Sequence, residues 1–118
     1  MQTIIVKNVG TPDETRQLPK TKGEAVNLGE HTIMRGTFEP GWKWSECVKP
    51  VVGTPSCQVN HVLYVISGKM CVRMNDETEK ELGPGDSALV PPGHDAWVIG
   101  NEPCVSIDFT GGKTYGKK

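Results

Sequence analysis

Four side chains carry donors soft enough to hold a transition metal: the thiols of Cys47 and Cys57 and the imidazoles of His61 and His94. Cys57 and His61 form a Cys-x3-His pair, which can close around one ion if the intervening loop turns into a strand. Thiolate and imidazole together favour Zn²⁺ in tetrahedral geometry over the oxygen-rich sites of Mg²⁺ or Mn²⁺. Plainer roles stay open beside this one. A free cysteine is among the most buried residue types, so Cys47 and Cys57 could simply fill space, and Cys71 and Cys104 are read that way outright. His61, beside Leu63 and Val65, could be a core histidine bonded to a backbone carbonyl. His94 could be exposed in a turn, and His31 is read as solvated. Asp95 could orient the neighbouring His94 imidazole or be an exposed turn carboxylate. No Ser-His-Asp set, phosphate loop or Gly-x-Gly-x-x-Gly is present.

The elements that must position these donors are short strands. Gly 14 and Pro 9 among 118 residues argue against long helices. The stretch Leu82 to Trp97 shows the design: Gly83-Pro84-Gly85-Asp86 and Pro91-Pro92-Gly93-His94 are turn signatures around a strand over 87–90. Elsewhere the patterning predicts strands over 2–7, 24–28, 31–38, 60–66, 69–74, 78–82, 96–99 and 104–109. Trp42 to Lys49 is read as a strand with Trp42, Trp44 and Glu46 on the face away from Cys47. The strand over 60–66 is apolar on both faces and is expected to be covered on both. In the last strand Val105, Ile107 and Phe109 are expected to face the core, with Cys104, Ser106 and Asp108 turned away. Thr11-Pro12-Asp13-Glu14 predicts one short helical turn. Residues 50–58 read as an ordered loop, and 111–118 as a mobile C-terminal tail after a single domain over 1–110. About ten short strands with Gly/Pro turns indicate an all-β sandwich or barrel.

Composition narrows the function classes. A formal net charge of −1 with interspersed signs shows no electrostatic footprint for nucleic acid or an anionic membrane. No apolar run approaches the length of a membrane span. The first residues lack the pattern of a secretory signal, so the cytoplasm is the expected location, where cysteines stay reduced.

The turn glycines and their spacing resemble the cupins, which implies a double-stranded β-helix or jelly-roll barrel. Gly85, Pro91 and Gly93 match the start of the second cupin motif. Gly41, and His61 followed after six residues by Gly68, match the ends of the first. By that likeness Cys47 and Lys49 stand where the first motif has its two histidines, and His61 stands where it has glutamate. Ala96 stands at the last histidine position, with His94 two residues earlier and of the same strand parity. The runs Gly41 to Glu46, Ser56 to Gln58 and Pro92 to Trp97 resemble small bacterial and archaeal cupins of unassigned activity, in which the residue matching Cys47 is commonly His. The resemblance keeps iron open as the metal, while the donors of Cys47, Cys57, His61 and His94 put a divalent ion, zinc, ahead of it. It also implies a small organic ligand inside the barrel and a homodimer paired through edge strands. Three readings follow: a metal-dependent enzyme acting on that molecule, a non-catalytic small-molecule or metal-binding sensor module, and a scaffold for self-association.

Overall fold

Alternating side chains and glycine turns fold the described residues, 3–117 of the computed structural model, into nine strands and two single helical turns. The strands are β1 (Glu14–Leu18), β2 (Thr21–Leu28), β3 (His31–Phe38), β4 (His61–Ser67), β5 (Lys69–Met74), β6 (Glu79–Leu82), β7 (Ser87–Val90), β8 (His94–Ile99) and β9 (Cys104–Asp108). Helices α1 (Trp44–Cys47) and α2 (Lys49–Val52) lie between β3 and β4. Every strand pairing is antiparallel. One sheet runs β1-β2-β3-β9-β4-β7 and the other β6-β5-β8. Met34, Phe38, Val65 and Val90 from the first sheet share one buried cluster with Met70, Val72, Ala96 and Val98 from the second. The result is a jelly-roll β-sandwich, the expected fold class.

The turns explain how the strands are held in register. Asp86 N–H donates to the Gly83 carbonyl across 3.0 Å, with Gly85 at φ 89°, as the Gly-Pro-Gly-Asp pattern requires. Gly68 turns β4 into β5 at φ 76°; a Cβ there would lie 2.2 Å from the Pro103 carbonyl oxygen, so only glycine fits.

Several local expectations are overturned. Residues 3–7 form no strand, and Ile4 and Val6 stay largely exposed, because the segment finds no neighbouring strand within the chain; Gln2 lies outside the described residues. The capping pattern at Thr11 builds no helix. Asp13 N–H instead donates to Ala25 and the chain continues as β1 on β2, tertiary pairing overriding a weak local signal. Trp42 to Lys49 is not a strand. Cys47 N–H donates to the Lys43 carbonyl across 2.9 Å, and the turn is capped by Asp95 Oδ1, which accepts from Ser45 N–H. Helix α2 follows in what was expected to be loop, with Pro50 in its first turn and Gly53 ending it at φ 81°. In β9 the two faces are exchanged: Cys104, Ser106 and Asp108 are buried, and Phe109 is exposed. On β4, Val62, Tyr64 and Ile66 are exposed rather than covered. Residues 111–117, expected to be a free tail, fold back as turns. Tyr115 is buried in the core cluster, and Arg16 Nη1 donates to its carbonyl across 2.8 Å.

Candidate metal centre

Three elements meet at one end of the sandwich. Cys57 belongs to the loop before β4, but its backbone is stitched to the start of β8. Its N–H donates to the His94 carbonyl, and Gly93 N–H donates to the Cys57 carbonyl, each across 2.7 Å. That bridge sets Cys57 opposite His94. His61 opens β4, where it pairs with Val90 of β7, and Asp108 closes β9. The ligand atoms of Cys57, His61 and His94 all lie within 4.8 Å of one another, and all three residues are buried. The two imidazole centroids are 5.2 Å apart. Cys47 stands outside this cluster: helix α1 replaced the strand whose parity was expected to aim it inward, and its side chain joins the core.

Each imidazole has one nitrogen committed. His61 Nδ1–H donates to Asp108 Oδ2 across 2.5 Å, and His94 Nδ1–H donates to the Pro91 carbonyl across 2.8 Å. Those acceptors fix the tautomers and leave the Nε2 lone pairs for another partner. Asp108 Oδ1 in turn accepts from the N–H groups of Thr110 and Gly111 across 3.0 and 2.8 Å. Gly111 packs so closely that a Cβ there would lie 2.7 Å from Asp108 Oδ2 and 2.8 Å from His61 Nδ1. His61 Nε2 lies 3.8 Å from Cys57 Sγ.

The electrostatics follow from that geometry. Burial alone would raise the Cys57 thiol, but hydrogen bonding to His61 and His94 outweighs it and brings the thiol down to about 6. Burial alone would lower His61, but Asp108 and Cys57 outweigh that and lift the imidazole to about 9. Without a metal the two share a proton as a thiolate–imidazolium pair. Burial pushes the Tyr115 phenol well above its ordinary range, so its O–H is retained.

The donor set fits a borderline metal ion. It offers one sulfur and two nitrogens, with an anionic thiolate directly at the site and a carboxylate behind His61. The 3.8 Å between Sγ and Nε2 is near the roughly 3.5 Å that Zn–S and Zn–N bonds of about 2.3 and 2.0 Å span at a tetrahedral angle. Beside the cluster lies a cavity of about 50 Å³, walled mainly by apolar residues of both sheets and by Trp42, Trp44 and Tyr115, with Asp108 and Ser106 at its polar side.

Some residues of this site were missed in the sequence. Asp108 is the carboxylate on histidine, a part that had been weighed for Asp95. The tryptophans line the interior rather than the outer face, and Tyr115 enters from the C-terminal segment. Alternation was the available signal for Asp108, but it does not say which face is inside.

Likeness to other proteins agrees with this architecture. The Cupin_2 model, a cupin domain, matches residues 54–110. No curated protein sequence matches the chain at a significant level. A structural-genomics protein of unknown function from Rhizobium leguminosarum bv. viciae 3841 shares 20% identity at a TM-score of 0.64, over 92% of this chain and 97% of that one. The polyketide cyclase RemF from Streptomyces resistomycificus shares 16% at 0.65, over 92% of this chain and 79% of its own. A cupin-like protein from Thermotoga maritima shares 18% at 0.55, over 83% and 72%. The cupin-domain match over residues 54–110, the motif glycines and the two-sheet sandwich together mark this chain as cupin-like in fold.

Proposed function

We propose that the barrel holds a divalent ion, zinc in preference to iron, on Cys57 Sγ, His61 Nε2 and His94 Nε2, and binds a small organic molecule beside it. The observation that carries this reading is the commitment of both Nδ1 atoms to oxygen acceptors while a thiol stands among the remaining donors. Bound there, the ion would supply Lewis acidity, with a position left for a substrate oxygen or water because the protein gives three ligands. Asp108 holds His61 in the ligating tautomer, and Pro91 does the same for His94. The apolar wall keeps bulk water from the pocket and strengthens electrostatic contacts inside it. Cys47 is left out of the ligand set.

Whether the bound molecule is turned over divides the enzyme reading from the sensor reading. The sensor is favoured by the lining, in which no carboxylate or imidazole stands free of the ligands and Asp108. A different second reading rests on the row Cys57–His61–Asp108, which has the order of a thiol nucleophile, base and orienting acid. His94 favours the metal, since a thiol nucleophile has no use for a second imidazole aimed at the same point.

Metal content of the purified protein decides. Stoichiometric zinc or iron that is lost in Cys57→Ala, His61→Ala and His94→Ala, and kept in Cys47→Ala, supports the proposal. Metal-free protein whose Cys57 is alkylated by iodoacetamide with no protection from added zinc would replace it with the nucleophile. We further place the chain in the cytoplasm as a homodimer, without nucleic acid or membrane partners. The four free thiols support a reducing compartment. The exposed apolar row Val62, Tyr64, Ile66, Leu89 and Phe109 supports a face covered by a second copy. Among the described residues no helix is long and apolar enough to cross a membrane.

A further inference from the structure

Tyr115 lines the pocket as a phenol with nothing to bond. Its ring centroid is 5.7 Å from that of His61 and 6.2 Å from that of Phe38, edge-on to the latter at 89°. Its hydroxyl is buried without a hydrogen-bond partner, and so is Trp42 Nε1, which belongs to a second residue lining the same cavity. A residue serving only to fill that space would be phenylalanine, because an unmet buried hydroxyl costs about 1–3 kcal/mol.

The segment bearing Tyr115 also divides two spaces. On its inner side is the cavity of about 50 Å³, too small for an organic molecule of ordinary size. On its outer side is an open pocket of about 390 Å³ that shares Trp44 and Tyr115 with the inner one and adds Cys57 and residues 114–117. Tyr115 and Trp44 are what the two spaces share, so withdrawal of the Tyr115 side chain would open a ring-shaped slot between them beside Cys57, His61 and His94. Two side-chain ties hold the segment to β1: a part-buried bond from Arg16 to the Tyr115 carbonyl, and the more exposed pair of Lys117 with Glu14 across 3.2 Å.

We propose that Tyr115 occupies the place of the natural ligand's ring, and that this ligand is a planar, mostly apolar molecule carrying a carbonyl or hydroxyl oxygen. The ligand lies between Phe38 and His61, and residues 112–117 swing outward to admit it. Its orientation, oxygen toward the metal or Trp42 Nε1–H, rests on the metal reading above. A sugar acid does not suit the slot. It carries a hydroxyl on nearly every carbon, whereas the wall is formed by residues such as Met34, Leu63, Met70 and Val72, with no lysine or arginine.

The test uses the full chain loaded with zinc, 2-naphthol as the ring probe and galacturonate as the polyhydroxylated comparison, read by quenching of tryptophan fluorescence. If the tyrosine fills the slot at least about nine-tenths of the time, removing it raises apparent affinity about tenfold or more. Tyr115→Ala is therefore expected to bind 2-naphthol at least that much more tightly than the unaltered chain, and neither should bind galacturonate. In the unaltered chain, saturating 2-naphthol is expected to speed hydrogen exchange across 112–117; this arm decides if the variant does not fold. Zinc retained with unchanged naphthol affinity, unchanged exchange or preferred galacturonate overturns the slot and leaves the metal standing. Tighter naphthol binding by Tyr115→Ala in protein that takes up no zinc keeps the slot and removes the metal.

Discussion

Replacing Asp108 by asparagine changes one atom and should cost most of the metal affinity. Asp108 Oδ1 accepts two backbone N–H groups, from Thr110 and Gly111, so asparagine must keep its carbonyl oxygen on that side. Its amide nitrogen then faces His61 Nδ1, where Asp108 Oδ2 now accepts at 2.5 Å. A donor in that place turns Nδ1 into the acceptor and moves the ring proton to Nε2, the atom aimed at Cys57. The lone pair a metal needs is gone unless the ring flips, and a flip forfeits the bond to residue 108. Loss of a partner behind a ligating histidine typically costs 10–100-fold in affinity, and the wrong tautomer puts this case at the upper end, about 100-fold or 2.7 kcal/mol. Competition with a chromophoric chelator at pH 7.5 reads the constant, and circular dichroism checks that the fold is kept. An Asp108→Asn protein that folds and binds zinc within about threefold of the unaltered chain refutes the assignment of His61 Nε2 as a ligand.

Three further outcomes are expected. Zinc uptake should release about one proton from the Cys57–His61 pair at pH 7.5 and two at pH 5. Between about 6 and 9 that pair holds one proton the metal must displace, and below 6 the thiol gains another. Affinity therefore falls as pH drops, and titration calorimetry in buffers of different ionisation enthalpy counts the protons; a count unchanged between the two pH values would contradict the low thiol. Gly111→Ala should lower stability by about 1–3 kcal/mol in urea titration, because its Cβ would press on Asp108 and Val59 at 2.7 Å; an unchanged midpoint would show that the turn can yield. Leu89→Asp, on the exposed face opposite Val62, should shift sedimentation from dimer to monomer without altering the thermal midpoint of the metal site, whereas an unchanged dimer would move the interface elsewhere.

The framework was legible because turns have local chemistry. Gly83 to Asp86 and Pro91 to His94 announce their geometry in the residues themselves, and the strands between them follow. The bridge that brings Cys57 to His94 joins residues 37 apart in sequence and left no local mark beyond the Cys-x3-His spacing. Facing was the harder question. Cys104 to Asp108 alternates perfectly, yet the usual rule sends its apolar side inward, and here the buried side is the one that carries Ser106 and Asp108. A strand whose inner face carries site residues and whose outer face is apolar reads inside out. The same inversion hid Asp108 and overstated the cover on β4. Trp42 and Trp44 were misplaced for a different reason: within the eight residues of apparent alternation from Trp42 to Lys49, Trp44–Cys47 folds as one helical turn capped from a distant strand by Asp95.

X-ray absorption at the metal edge of the protein as isolated tests the central claim most directly. One sulfur at about 2.3 Å and two imidazole nitrogens at about 2.0 Å are predicted, with the sulfur lost in Cys57→Ser. A shell of nitrogen and oxygen alone in the unaltered chain would contradict it, as would protein that binds no metal under saturating zinc.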